Sequence, residues 1–239
     1  MLECEYEEVW DRLMLPKLTP NENQYGAPVA EFIPAETAGV IGLAPEHREI
    51  WRLAAPHLRV RSNDAHTLYA YGIARALCEA VPDADAGIAL PAILLHDTGW
   101  SQVPEDLVLR AISPSGGDPE LVLLHEREGA RIAERILSEL GYERDRVDEI
   151  VDIVLTHDSM KEAKSTNDAV VKDADKVWRL TPHGIDTVMD WFGLDRAAAN
   201  RLCSWRVHDY LHTEAARHMA RGLAAVASAD VFPERVELG

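Results

Sequence analysis

A nearly apolar stretch, AGIALPAILLHDTG, occupies residues 86–99 and decides the fold class. Its apolar run is too continuous for a surface helix, so a helix from Ala86 to His96 has to be buried on all sides. The stretch ends on an imidazole, a carboxylate and a glycine, and we expect Gly99 to adopt the left-handed conformation that closes many helices. The sequence therefore predicts a buried helix that ends at His96 and Asp97.

Helical patterns surround this stretch, and strand-type alternation is almost absent. The spacing predicts a helix over 62–80, with His66, Tyr69 and Ile73 on its inward face, and a long amphipathic helix over 119–140 with His125 beside its apolar stripe. Further helices are predicted near 46–49, 103–111, 146–156, 167–179 and 195–227. The predicted fold class is all-α, a helical bundle with a loop-rich N-terminal arm.

The domain organisation follows from a change in composition. Residues 1–45 contain five prolines and predict an N-terminal arm. The helical domain is predicted over residues 46–225, followed by a C-terminal tail at 226–239.

The charge balance limits the classes of partner. The 239 residues include 41 acidic and 24 basic side chains, a formal net charge of −17, which disfavours nucleic-acid binding. No apolar run reaches the roughly 18 to 20 residues of a membrane helix, the first residues do not form a secretory signal, and three cysteines are too few for a disulfide framework. We expect a cytoplasmic protein that binds neither nucleic acid nor membrane, and a homo-oligomer is left open.

Histidines and aspartates recur at the ends and inward faces of the predicted helices. They are His66, His96, Asp97, His125, His157 and Asp175. Imidazole and carboxylate groups are ligands of divalent metals, and several of them inside an apolar bundle need a cation to offset their desolvation. The joint pattern predicts a metal site.

The order of these residues resembles the HD superfamily of metal-dependent phosphohydrolases. His66, the run LLHDTG at residues 94–99 and the run KDADK at residues 172–176 reproduce its H…HD…D signature. The resemblance implies an all-helical HD domain in which four side chains bind a first metal ion. These are His66, His96, Asp97 and Asp175.

Two more positions match additional histidines of many HD proteins, His125 and His157. In members with two metals these histidines bind the second ion and the HD aspartate bridges, which here is Asp97. In members with one metal they face the substrate or the metal-bound water instead. The resemblance implies catalytic roles for Asp97, His125 and His157, and both arrangements stay open.

The resemblance implies a phosphohydrolase that cleaves a phosphate ester of a nucleotide or another small molecule through metal-bound hydroxide. One or two divalent transition-metal ions are expected, and histidine-rich ligation favours iron, manganese, nickel or cobalt over magnesium alone. The substrate phosphate needs basic side chains near the site. The candidates are Lys161, Lys172 and Arg61, with Lys176 beside them.

Two other functions are consistent with the same pattern. A small branch of the superfamily uses the same six ligands in mixed-valent di-iron oxygenases, which share a tyrosine and a glutamate ahead of the first histidine, where this chain has Pro56 and Arg59. A non-catalytic HD binding module would have lost a ligand, and none is lost here.

Overall fold

A computed structural model describes Val29, Phe32–Pro34 and Gly42–Phe232. Within these residues the chain forms ten α-helices and no strand, which confirms the all-α class. The helices are α1 (Arg48–Ala54), α2 (Asn63–Ala80), α3 (Ala86–Leu95), α4 (Glu105–Ala111), α5 (Pro119–Glu139), α6 (Arg144–Thr156), α7 (Thr166–Val177), α8 (Pro182–Phe192), α9 (Arg196–His208) and α10 (Glu214–Ser228). None of the described helices is long and apolar enough to cross a membrane.

The chain divides into two compact units, residues 1–40 and 41–239, and all ten helices belong to the second. Most of the predicted arm lies outside the described residues. A 3₁₀ turn at Pro45–His47 leads into α1, and α10 continues past the predicted domain end, to Ser228.

Helix α3 is the central helix of the bundle, as its apolar sequence predicts. Every side chain from Ile88 to Leu95 is buried, and α3 packs against α2, α6 and α7. Burial of each large apolar side chain contributes about 1.5 to 3 kcal/mol. At its first turn the Asp85 carboxylate accepts the N–H of Gly87. The packed helix therefore holds His96 and Asp97 at a fixed position in the interior.

Gly99 has a different role from the predicted left-handed cap. It is not among the glycines with positive φ, and it lies inside the 3₁₀ turn Thr98–Gln102. A β-carbon at this position would collide with the His125 carbonyl oxygen and with the Gly129 nitrogen of α5. Glycine is therefore required because α5 approaches the turn backbone closely.

The inward face of α2 also differs from the predicted one. His66 is buried, but Tyr69 is 46% exposed and stacks on His183, while Tyr71 lies in the core. The prediction followed the apolar character of Tyr69, whereas its ring packs against an imidazole outside the core. The face actually buried includes Thr67, Ala70, Ala74 and Leu77.

Helix α8 was not predicted, although its boundaries carry ordinary signals. The Thr181 hydroxyl accepts the N–H of Gly184, Pro182 occupies the first turn, and Gly193 closes the helix at φ 63°. This helix matters for function because it carries Trp191, which lines the pocket described below.

Candidate metal centre

The six histidines and aspartates of the predicted metal site converge in the interior. They come from α2, from the end of α3, from α5, from the end of α6 and from α7, and each is at most 7% exposed. They are His66, His96, Asp97, His125, His157 and Asp175. The structure thus brings together every residue of the predicted ligand set.

The first cluster contains His66, His96 and Asp175. The two Nε2 atoms lie 3.0 Å apart, and Asp175 Oδ1 lies 3.3 Å from His66 Nε2 and 3.8 Å from His96 Nε2. Asp97 Oδ2 lies 3.4 and 3.6 Å from the same two nitrogens. Ligand atoms bound to one ion at about 2.1 Å are about 3.0 Å apart when neighbouring and up to about 4.2 Å apart when opposite, so this cluster has the dimensions of a metal site.

The second cluster contains His125, His157 and Asp158. The two Nε2 atoms are 3.3 Å apart, and Asp158 Oδ2 lies 3.7 Å from His125 Nε2 and 3.9 Å from His157 Nε2. Asp97 Oδ1 lies 4.0 and 3.6 Å from these nitrogens. Asp97 therefore directs one carboxylate oxygen to each cluster.

Hydrogen bonds fix the tautomers of two of these histidines. Nδ1 of His96 lies 2.8 Å from the Ile93 carbonyl oxygen, and Nδ1 of His157 lies 2.8 Å from that of Val154. A carbonyl oxygen only accepts, so Nδ1 donates, and Nε2 of each ring is the atom that faces the carboxylates and can bind an ion. Imidazole nitrogens and carboxylate oxygens buried together need a proton or a metal ion between them, and this donor set fits a divalent metal.

Trp100 orients two of the predicted ligands, the carboxylate of Asp97 and the imidazole of His125. Its Nε1–H donates to Asp97 Oδ1 at 3.0 Å, and its ring stacks on His125 with centroids 3.8 Å apart and an interplanar angle of 7°. The indole thus limits the rotation of both side chains, so less ordering is left for metal binding to impose.

The two innermost carboxylates are ionised. Burial raises the pKa of Asp97, but the imidazoles of His96 and His157 outweigh burial and hold this pKa well below its usual range. Burial likewise raises the pKa of Asp175, and the Arg179 guanidinium outweighs it and keeps the pKa well below the usual range. The site therefore carries negative charge that attracts a cation.

The pKa values of His125 and His157 shift in opposite directions. Burial, together with the nearby His157, lowers the pKa of His125 to about 4. Burial also disfavours the charged form of His157, but a hydrogen bond to Asp97 and the charge of Asp158 outweigh it and raise the pKa of His157 to about 10. Without metal, His157 therefore carries a proton at neutral pH.

The position of Asp158 is set by a buried carboxylate. Oε1 of Glu126, a fully buried residue, accepts the backbone N–H groups of Asp158 at 2.9 Å and of Ser159 at 2.8 Å. Asp158 is not in the ligand set that the sequence predicts. The structure places its carboxylate as close to the histidine nitrogens as the shared aspartate is, with its side chain 30% exposed.

A pocket of about 330 Å³, including its open mouth, lies beside both clusters. Three carboxylates of the two clusters line it, Asp97, Asp158 and Asp175. The remaining lining residues are Arg61, Asn63, His66, Trp100, Ile112, Trp178, Arg179 and Trp191. The pocket thus joins the metal-ligand set to basic and aromatic side chains.

Arg61 enters this pocket from a strained segment of backbone. Arg61 and Ser62 both have positive φ, 53° and 59°, which is costly for non-glycine residues. The Arg61 guanidinium lies 4.9 Å from the ring centroids of both Trp100 and Trp191. Burial lowers the pKa of Arg61, and the charge of Asp97 opposes this shift, so the guanidinium remains charged at neutral pH.

Several donors that face this region have no hydrogen-bond partner among the described residues. They are the buried Nε and Nη1 atoms of Arg61 and the buried Nδ2 of Asn63. An unpaired buried donor costs about 1 to 3 kcal/mol. The lining is therefore complementary to a ligand that supplies several acceptor oxygens.

The other predicted substrate-binding residues lie elsewhere. Lys172 is fully buried, and its Nζ donates to Asp168 Oδ2 at 2.7 Å, so its ammonium is an internal ion pair that a substrate cannot reach. Lys161 is exposed, lies over the Tyr210 ring at 5.6 Å and does not line the pocket. Arg61 is the predicted cation that the structure places at the pocket.

Asn63 and Arg179 are among the pocket residues that sequence analysis missed. Asn63 is the first residue of α2 and is not among the sequence-predicted site residues. Arg179 follows Asp175 by one helical turn, and its Nη1 donates to Oδ2 of that residue at 3.3 Å and to its carbonyl oxygen at 2.9 Å. The i, i+4 spacing of Asp175 and Arg179 was a signal that could have identified the pair.

Residues 63–180 match the family model described as HD domain. The fold is similar to the crystal structure of a predicted HD superfamily hydrolase from an uncultured Thermotogales bacterium. The TM-score is 0.56 at 22% sequence identity, and the match covers 82% of this chain and 94% of the other, which shows a common fold. A comparison with curated proteins found no similar sequence. The matched region contains all six converging histidines and aspartates, and residues 63–180 are therefore an HD domain.

Proposed function

We propose that the protein is a metal-dependent phosphohydrolase that cleaves a phosphate ester of a small molecule or nucleotide. One observation carries this proposal. Two clusters of metal-ligating side chains share Asp97 and open onto a pocket in which buried N–H donors of Arg61 and Asn63 have no partner. Metal-ligating groups on one side and unpaired donors on the other are what phosphoryl transfer to water requires.

The two clusters would hold the metal as two neighbouring sites. His66, His96, Asp175 and Oδ2 of Asp97 would bind the first ion. Oδ1 of Asp97, His125, His157 and Asp158 would bind the second. A divalent transition metal supplies a Lewis acid that lowers the pKa of water from about 15.7 toward neutrality and withdraws charge from a phosphoryl oxygen.

Arg61 and Asn63 would bind the phosphate. Three of their N–H groups are buried without partners, and phosphoryl oxygens accept such hydrogen bonds strongly. The rings of Trp100 and Trp191 flank the guanidinium and hold it in place before a substrate arrives. The phosphate would thus meet a fixed positive charge opposite the metal ligands.

Asp158 would manage a proton during the reaction. Its side chain is partly exposed and lines the pocket from the metal side, beside His125 and His157. A partly exposed carboxylate at this position would accept a proton from the water that attacks the phosphorus atom. The backbone N–H groups of Asp158 and Ser159 donate to the Glu126 carboxylate, and these hydrogen bonds hold Asp158 at this position.

The di-iron oxygenase is the second candidate because the six converging residues include its complete ligand set. Two residues count against it. Pro56 and Arg59 stand where those oxygenases share a tyrosine and a glutamate, and neither lines the described pocket. A non-catalytic module is less consistent with a complete ligand set beside a pocket.

The experiment is metal analysis of protein purified without chelator, followed by phosphate release from a panel of phosphate esters and nucleotides. Oxygen consumption is recorded in parallel, and the assay is repeated without oxygen. Phosphate release that is independent of oxygen supports hydrolysis. Oxygen uptake without phosphate release would reject it and support the oxygenase, and a metal-loaded protein with neither activity would contradict both enzymes.

A further inference from the structure

The pocket beside the metal clusters adjoins a second space of about 310 Å³, a volume that includes open solvent, and we name it the outer compartment because none of the six converging histidines and aspartates lines it. Ile112, Arg179 and Trp191 line both spaces, so the two are adjacent. The outer compartment adds Val188 and Phe192 of α8 and three residues of α9. These are Leu202, Cys203 and Arg206.

The lining of the outer compartment is less polar than that of the inner one, and its polar side chains are two arginines and a cysteine. Its described lining includes no Asp, Glu, Asn, Gln, Ser or Thr side chain. Burial raises the pKa of the Cys203 thiol to about 11, so this residue is neutral at physiological pH. The wall therefore offers few groups that can recognise hydroxyls or amides.

Both arginines of the outer compartment already have partners. Arg206 Nη2 donates to the Ile112 carbonyl oxygen at 3.2 Å, and Arg179 Nη1 donates to Asp175. In contrast, Arg61 in the inner compartment has two buried nitrogens without a partner. The position of these donors assigns the anionic end of a ligand to the inner compartment.

We propose that the outer compartment binds the alcohol part of the substrate and that this alcohol is apolar or aromatic. This inference rests on the proposed function, which places the phosphate at the metal clusters. An apolar group would pack against Val188, Phe192 and Leu202, and a ring would also contact Trp191. The volume of about 310 Å³ includes open solvent, so the enclosed space is smaller than the roughly 300 to 1,000 Å³ typical of ligand pockets and admits at most a single ring or a short branched chain.

The same walls disfavour a nucleoside as the leaving group. Ribose hydroxyls and the edge of a base form hydrogen bonds in water, and each one buried without a partner costs about 1 to 3 kcal/mol. The proposal therefore narrows the substrate from any phosphate ester to a phosphate monoester of a compact apolar or aromatic alcohol.

The experiment measures binding and does not need turnover. Calorimetry with the Mn²⁺-loaded protein compares benzylphosphonate with methylphosphonate, two probes in which a P–C bond resists hydrolysis. We expect benzylphosphonate to bind at least about tenfold more tightly, because only it fills the outer compartment. Equal affinities, or tighter binding of adenosine monophosphate than of benzylphosphonate, would overturn the proposal.

Variants of the wall make the test specific to this compartment. Leu202→Asn should weaken benzylphosphonate at least about fivefold and leave methylphosphonate unchanged, since a buried amide there lacks a partner. Val188→Thr repeats the test with a side chain of the same shape, and thermal melting checks the fold of each variant. Leu109→Asn, at an exposed leucine outside both spaces, is the matched control and should change neither affinity.

The outcome is separable from that of the proposed function. Selective phosphonate binding without any phosphate release would support the compartment and reject the hydrolase. Phosphate release without selectivity for the benzyl probe would support the hydrolase and reject the apolar alcohol.

Discussion

The first and second clusters of metal-ligating side chains differ most in their carboxylates. The Asp175 side chain of the first cluster is 7% exposed and paired with Arg179, whereas the Asp158 side chain of the second is 30% exposed and lines the pocket. Asp97 is common to both. The comparison teaches that the first cluster is built to retain an ion, and the second to exchange protons and ligands with the pocket.

The largest effect should come from the residue that the clusters share. Asp97→Ala removes one carboxylate oxygen from each cluster, and we expect metal in the purified protein to fall to less than about a tenth of the wild-type content. Plasma mass spectrometry measures the content, and thermal melting checks the fold. Asp158→Asn is the control, and it should lose only the second equivalent. Full occupancy in Asp97→Ala would contradict the shared site.

Metal binding at the second cluster should depend on pH. The pKa of His157 is raised to about 10, so this residue is protonated at neutral pH, and metal must displace that proton from the second cluster. Affinity for the second Mn²⁺ equivalent should rise about tenfold per pH unit, or roughly 100-fold between pH 7 and 9. Calorimetry in buffers of different ionisation enthalpy counts the proton. An affinity of the second equivalent that stays constant between pH 7 and 9 would contradict the proton on His157.

Phosphate binding in the pocket beside the second cluster should depend on Arg61. Arg61→Met removes a buried charge and two unpaired donors, so inorganic phosphate should bind roughly 10- to 100-fold more weakly, with metal content unchanged. Calorimetry of the metal-loaded protein measures the affinity. Lys161→Ala is the matched control. Because Lys161 lies outside the pocket, the phosphate affinity of this variant should stay within about twofold of the wild-type value. A larger loss in Lys161→Ala than in Arg61→Met would restore the role that the sequence predicted for this lysine.

The smallest effect should come from the support of Asp158. Glu126→Gln keeps the shape but replaces a charged acceptor of two backbone N–H groups with a neutral one, and we expect the second equivalent to bind about fivefold more weakly. The first equivalent should be unaffected, and a titration with Mn²⁺ separates the two. Equal weakening of both equivalents would indicate a general loss of structure instead.

The parts of the molecule that could be predicted from sequence are those in which one helix determines the outcome. The continuous apolar run identified α3 as a buried helix. The positions of His66, His96 and Asp97 on helix faces and at helix ends identified them as interior residues. These inferences need only the helical period and the identity of the residue, because a buried helix leaves its polar residues few places to go.

The parts that failed depend on contacts between helices. Gly99 was predicted to be a left-handed helix cap. Glycine is required there because α5 approaches closely, and this contact cannot be seen in the sequence of that segment. Lys172 and Arg61 have the same charge in the sequence, and only packing shows that one pairs internally with Asp168 while the other faces the pocket. The place of Asp158 in the second cluster was not predicted for the same reason, since Glu126 of another helix positions it.

The central claim is that the two clusters and the adjoining pocket hydrolyse a phosphate ester. The most direct measurement is phosphate release from benzyl phosphate by the Mn²⁺-loaded protein in the absence of oxygen, beside the Arg61→Met variant with equal metal content. The account predicts steady release by the wild type and at least about tenfold slower release by the variant at low substrate concentration. No release without oxygen, together with oxygen consumption in air, would contradict it.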